Sequence, residues 1–188
     1  PIMGLRRKIA QKMQASWTRI PHITYVEEID VTQVEALRAQ LNTRYGKERG
    51  KLTLLPLLAR AIVLAIRQFP QMNARFDDEA NIVTRHEGVQ LGIATQSDVG
   101  LSVPVIAHAE ALDLWQTAAE IARLSTAVRA GKATREELSG STITISSLGP
   151  IGGIASTPII NHPEVAIVGV NRIIERPAFH EGHVVARK

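Results

Sequence analysis

Apolar and polar positions along the chain divide it into helix-period, strand-period and turn segments. Leu5, Ile9, Met13 and Trp17 recur every fourth residue and line one face of a helix. That helix ends before Pro21, because a residue preceding proline is pushed out of the α region. His22 to Ile29 reads as a strand, with Ile23, Tyr25 and Val26 in imperfect alternation. Asp30 or Thr32 caps a second helix, which carries Val34, Leu37 and Leu41 on one face and fades into the polar stretch Tyr45 to Lys51. Thr53 restarts a helix running to about Gln68, with Pro56 in its first turn, and Phe69-Pro70 stops it. It is apolar almost all round, which predicts the buried helix of the fold.

Beyond Pro70 the period shortens. Asp77-Asp78-Glu79 is a turn between short strands. Val89 to Thr95 and Leu101 to Ala107 are β-type runs joined by Gln96-Ser97-Asp98-Val99-Gly100, as in a hairpin with a longer loop. A long helix follows from Ala111 to about Ala130, with Leu114, Ala118, Ile121, Ser125 and Val128 on one stripe and Gly131 as its stop. Thr134 and Glu137 have capping-box spacing. Thr142 to Ser147 alternates hydroxyl and isoleucine, Val165 to Val170 reads as a central strand, and Val184-Val185-Ala186 begins another. The pattern predicts one α+β domain, with helices packed on a mixed sheet.

Composition narrows the chemistry. The 188 residues contain no cysteine, which excludes a disulfide framework, a cysteine nucleophile and thiolate metal sites. A reducing compartment suits such a chain. The balance of 22 Lys and Arg against 18 Asp and Glu gives a formal net charge of +4. The cluster Arg6-Arg7-Lys8 has no interleaved aromatics, so the footprint of a nucleic-acid groove is not there. An anionic cofactor or an acidic partner fits the excess instead. The apolar run from Leu52 to Phe69 is interrupted by Pro56, Arg60 and Arg67, so no membrane span is expected. The N-terminus lacks a signal peptide's apolar core, and the chain opens at Pro1, as a piece of a longer protein would.

The six histidines (His22, His86, His108, His162, His180 and His183) form no metal-ligand spacing, and His180-Glu181-Gly182-His183 reads as a glycine turn. Gly149-x-x-Gly152-Gly153 matches neither the dinucleotide fingerprint nor the P-loop and leads into Thr157-Pro158, so a sharp turn or close backbone approach explains it. Alternation places the hydroxyls of Thr142, Thr144 and Ser146 on one strand face. Serines at such positions are usually held by backbone hydrogen bonds. A line of hydroxyls facing a cavity is the functional alternative.

Longer strings carry a resemblance. Leu91-Gly92-Ile93-Ala94 followed by Gly100-Leu101-Ser102-Val103-Pro104-Val105-Ile106, the run Thr142 to Gly149 followed by Ile151-Gly152-Gly153, and Thr157-Pro158-Ile159-Ile160-Asn161-x-Pro163-Glu164-Val165-Ala166-Ile167-x-Gly169 are together similar to the dihydrolipoyl acyltransferase component of 2-oxo acid dehydrogenase complexes. Arg7-x-Ile9-Ala10-x-x-Met13 and Pro21-His22-Ile23-Thr24 fit as well, and the similarity is colinear from Met3 to Lys188.

The resemblance implies a chloramphenicol acetyltransferase-like α+β fold over residues 1–188, assembled as a homotrimer within a larger cubic or dodecahedral core. It implies acyl transfer from a dihydrolipoyl thioester to coenzyme A, the lipoyl group arriving on a separate domain, with a branched-chain or pyruvate complex favoured and the dehydrogenase components as partners. Ser146 falls on the family's oxyanion-stabilising serine, with Ser147 the weaker candidate. The coenzyme A channel maps to Leu91, Gly92, Ile93, Ala94, Gly100, Leu101, Ser102 and Val103, with Asn161 nearby; for Arg6 or Arg7 a phosphate contact and a solvated helix face are equal alternatives. No metal is implied. The family's general-base histidine belongs to an Asp-His-Arg-x-x-Asp-Gly string that these residues do not contain, so the expectation is a catalytic domain incomplete at its C-terminus, without the lipoyl and subunit-binding domains, and inactive alone. A non-catalytic trimeric scaffold is the alternative. Bacterial cytoplasm or mitochondrial matrix would house either.

Overall fold

A computed structural model describes residues 1–188 apart from 99, 150 and 151, and the backbone alone at Leu5. Val99 of the expected hairpin loop, Pro150 and Ile151 of the glycine-rich loop, and the Leu5 side chain therefore lie outside the described residues. Four helices are present: α1 (Gly4–Arg19), α2 (Thr32–Arg49), α3 (Leu54–Gln68) and α4 (Leu114–Arg129). The strands are β1 (Ala74–Asp77), β2 (Ile82–Arg85), β3 (Leu91–Ile93), β4 (Thr95–Ser97), β5 (Gly100–Ser102), β6 (Val105–Ile106), β7 (Ile143–Ser147), β8 (Ile167–Val170), β9 (Arg176–His180) and β10 (His183–Arg187). Among the described residues no helix is long and apolar enough to cross a membrane.

The central sheet is mixed and ordered β6-β3-β7-β8, with β3, β7 and β8 parallel and β6 antiparallel to β3. One face is the core. Leu91, Ile93, Ile143 and Ile145 pack there with Ala59, Val63 and Ile66 of α3 and Leu124 of α4. Period-two alternation sends Gly92, Thr144, Ser146 and Gly169 to the opposite face. The runs expected as one hairpin form two ladders, β3 with β6 in the central sheet and β4 with β5 as a separate antiparallel pair. The expected turn at Asp77-Asp78-Glu79 joins β1 to β2, with the Asp77 carboxylate accepting from the Glu79 and Ala80 N–H groups at 3.0 Å.

The helices form where the periodicity put them, with differences in burial. α3 buries only Pro56, Ala59, Val63 and Ile66, and Leu64 is 47% exposed, so its apolar excess is one-sided here. α2 buries no residue and runs on through the polar stretch to Arg49. Tyr45 steadies that last turn by meeting Trp115 edge-on at 6.5 Å, beneath the guanidiniums of Arg44 and Arg49. α4 starts after a short 3₁₀ turn, from an Asp113–Gln116 capping box, and Gly131 follows it in the left-handed region. Thr134 and Glu137 exchange capping-box hydrogen bonds around a turn rather than a helix.

Two strand expectations are corrected. Residues 22–29 join no strand ladder among the described residues, and Ile23 is 92% exposed. A β-type run without a partner ladder is not a strand. Val165 to Val170 supplies β8, an edge strand rather than a central one, because nothing among the described residues pairs beyond it.

Candidate active site

Ser146 stands near the C-terminal end of β7, half-buried, on the sheet face away from the core. Across the parallel ladder its partner is Gly169 of β8. On the other side Ala94 follows β3 and donates its N–H to the Ile145 carbonyl at 2.9 Å. Ser146 is thus flanked by the two residues of smallest side chain, alanine and glycine. The row behind it is tighter. A Cβ on Gly92 would stand 2.6 Å from Thr144 Oγ1 and 2.8 Å from Val103 Cγ1, so only glycine fits.

The three aligned hydroxyls separate. Thr142 Oγ1 donates to Asn73 Oδ1 at 2.5 Å and Thr144 Oγ1 to Glu164 Oε1 at 2.9 Å, both in buried surroundings. The expected line of three hydroxyls facing a cavity does not form, because Thr142 and Thr144 are engaged in buried hydrogen bonds. Ser147 points to the core side, where its Oγ accepts from the Gly149 N–H at 3.4 Å. Among the described residues the Ser146 hydroxyl alone of this group has no partner within the chain.

Behind Ser146 lies a buried polar cluster. Glu164 is 2% exposed, and its Oε1 accepts from Thr144, from Asn161 Nδ2 at 2.5 Å and from Ser141 Oγ. Burial raises the Glu164 carboxyl above the usual carboxylate range, against the pull of those donors and of Lys12 on α1. Lys12 is in turn lowered by burial. Arg75 of β1 steadies the segment entering β7, donating through Nε and Nη2 to the Ser141 carbonyl at 3.0 and 2.7 Å. On sequence grounds Glu164 has no assigned role, although it stands inside the family-like string Thr157 to Gly169 as a lone acid just ahead of the apolar run Val165 to Val170.

The expected coenzyme A residues do not form one wall. Leu91 and Ile93, at 0% and 4% exposure, are core residues, which removes their side chains from any ligand surface of this chain. Gly92 faces Thr144, and Val103 packs over it. Gly100, Leu101 and Ser102 form β5, with Ile9 of α1 against Gly100. Asn161 is 8% exposed, and its amide is engaged by Ser141 and Glu164. Ala94 keeps a half-buried place beside Ser146, and Arg6 and Arg7 are exposed on α1.

Three of the six histidines have side-chain partners among the described residues, and none of those partners is Ser146. His22 stacks on Trp17, donates from Nδ1 to the Ile20 carbonyl and accepts the Ile160 N–H at Nε2. His162 pairs with Asp78 at 2.6 Å and His108 with Glu110 at 3.1 Å. His180 and His183 flank the β9–β10 turn, and His86 is lowered by burial and by Arg75. His86 and His162 border a cleft of about 490 Å³, and His86 borders another of about 530 Å³, neither of them lined by Ser146. Among the described residues no group of three or more histidines and acids is arranged to hold a metal ion.

Comparison with known proteins agrees with this architecture. The chain is 68% identical over 188 residues to the lipoamide acyltransferase component of the branched-chain alpha-keto acid dehydrogenase complex of Pseudomonas aeruginosa, covering all of this chain and 44% of that protein. It thus spans less than half the length of that relative. Among solved structures, the dihydrolipoamide acetyltransferase of Azotobacter vinelandii superposes with a TM-score of 0.94 at 36% identity, over 100% of this chain and 77% of that one. The cubic core of a pyruvate dehydrogenase multienzyme complex gives the same TM-score, identity and coverage. The sequence profile described as 2-oxoacid dehydrogenases acyltransferase (catalytic domain) matches residues 1–188, and the chain belongs to that family.

Proposed function

We propose that the chain forms part of an acyltransferase catalytic domain that moves an acyl group from a dihydrolipoyl thioester to the thiol of coenzyme A, with Ser146 as the oxyanion donor. The observation that carries this reading is the Ser146 hydroxyl, which has no partner among the described residues and is flanked on the outer sheet face by Ala94 and Gly169. Attack of the coenzyme A sulfur on the thioester carbon places negative charge on the carbonyl oxygen. A preorganised donor at that oxygen is worth about 10²–10³ in rate. As the intermediate collapses, the dihydrolipoyl sulfur leaves and takes a proton.

The attacking thiol also needs a base, since a thiol of pKa about 8.5 is only a few per cent ionised at neutral pH. Among the described residues none of the six histidines is hydrogen-bonded to Ser146, which supports a base supplied from outside these 188 residues. In the Azotobacter vinelandii enzyme a serine, a histidine and an asparagine have been investigated for roles in the catalytic mechanism. Its histidine follows its serine by more residues than separate Ser146 from Lys188. On this reading residues 1–188 alone are inactive, and the lipoyl and subunit-binding domains are separate parts of the protein.

The relative named for a branched-chain complex favours a branched acyl group. Exposed Ile23, Tyr25, Phe179 and Val184 favour cover by further copies, as in a trimer built into a larger core. Bacterial relatives favour the cytoplasm. Assay of the full-length protein with isobutyryl-, acetyl- and succinyl-dihydrolipoyl substrates tests the reading. The highest kcat/KM is expected for the branched acyl group. No transfer from any of the three would overturn the enzyme reading and leave a scaffold.

A further inference from the structure

Glu164 occupies a place where a carboxylate is expensive. It is 2% exposed and its Oε2 has no partner among the described residues, so the desolvation of the carboxyl is only partly offset. Its Oε1 gathers three donors from three separate pieces of chain. Ser141 comes from the segment entering β7, Thr144 from β7 itself, and Asn161 from the loop connecting β7 to β8. Asn161 also reaches Ser141 Oγ at 3.2 Å, which closes the cluster.

That same loop lies over the Ser146 face. Pro158 Cγ and Cδ stand 3.3 Å, and Ser156 Oγ 3.4 Å, from where a Cβ on Gly169 would be, and Gly169 is the residue across from Ser146. The loop is also held by polar contacts from α1 and the segment after it, with Ser16 Oγ of α1 accepting the His162 N–H at 3.2 Å and His22 Nε2, beyond the helix, accepting the Ile160 N–H at 3.0 Å. The height of Pro158 above Gly169 therefore depends on where Glu164 holds the far end of the loop.

We propose that the acyl substrate enters between the Ser146–Gly169 face and the segment 156–158, and that Glu164, with Asn161, is a positioning residue for Ser146 that sets the depth of this crevice. It touches no substrate and acts through Thr144 and the loop. Asn161, a coenzyme A candidate on sequence grounds, becomes part of this support. The inference rests on Ser146 being the oxyanion donor.

A double-mutant cycle in the full-length protein tests it, read as kcat and KM with a thermal melt for each variant. Glu164→Ala is expected to lower kcat about 10- to 100-fold, the scale on which displaced catalytic groups lose rate, with the KM for coenzyme A little changed. In a Ser146→Ala background the same change is expected to cost less than about two-fold, because the group it positions is gone. Glu164→Gln keeps the Oε1 acceptor and is expected to recover most of the loss. If Glu164→Ala does not fold, Asn161→Ala takes its place in the cycle. Equal losses of kcat in the two backgrounds would overturn the inference while leaving Ser146 catalytic. An unchanged kcat in Ser146→Ala alone would overturn the reading beneath it as well.

Discussion

Ser146 and Gly169 face each other across the β7–β8 ladder, so the strand beside the unpartnered hydroxyl contributes no side chain to the space above it. Pro158 and Ser156 already approach the missing Cβ position at 3.3 and 3.4 Å. Gly169→Val should therefore crowd the crevice from its floor. Overpacking of this kind costs about 1–3 kcal/mol of stability. A fall in kcat/KM of at least about tenfold in a variant that still melts cooperatively is expected, the magnitude resting on displacement of reacting groups. Full activity in Gly169→Val would mean that the crevice is not where substrate lies.

Gly92 makes the sharper stability prediction. Its missing Cβ is 2.6 Å from Thr144 Oγ1 and 2.8 Å from Val103 Cγ1, both in packed surroundings. Gly92→Ala should cost about 1–3 kcal/mol, which for a domain of this size lowers the melting temperature by roughly 2–4 °C per kcal/mol. Gly88→Ala is the control, since its Cβ would meet neighbours at 3.4 Å or more. Equal melting temperatures for the two variants would contradict the close approach.

Much of this architecture was legible in the residues. The four-residue spacing of Ile9, Met13 and Trp17, the Pro70 stop and the Asp77–Glu79 turn each reflect local chemistry, and each element formed where expected. Pairing is not local. Ile23, Tyr25 and Val26 have strand-like composition, yet whether a strand forms depends on a partner ladder that no local pattern encodes. The apolar run to Val170 indicated burial, but not that its outer edge would be unpaired. At the site, alternation correctly placed Thr142, Thr144 and Ser146 on one face. Which of those hydroxyls were already engaged depended on Asn73 and Glu164, distant in sequence. The burial of Leu91 and Ile93 was hidden for a related reason, since a stretch beside a candidate site also builds the core through every second side chain.

Glu164 predicts a pH dependence with a definite sign. Its carboxyl is raised in the folded state, first by burial, so the folded chain holds a proton that the unfolded chain has released. Stability then falls as pH rises from the unfolded carboxyl value of about 4.3 through the raised folded one. Glu164→Gln removes that titration. The variant should gain on the wild type as pH goes from 4 to 7, followed by urea unfolding of the full-length protein. A difference that stays constant over the range, or shrinks, would show that the carboxyl is not raised.

Kinetics of Ser146→Ala in the full-length protein tests the central claim most directly. The hydroxyl is assigned to the transition state alone, so kcat should fall by about 10²–10³ with the KM for coenzyme A and for the acyl-dihydrolipoyl substrate nearly unchanged. Ser147→Ala, on the core side of the same strand, is the companion measurement and should fall far less. An unchanged kcat in Ser146→Ala would contradict the assignment and return that hydroxyl to an ordinary strand position.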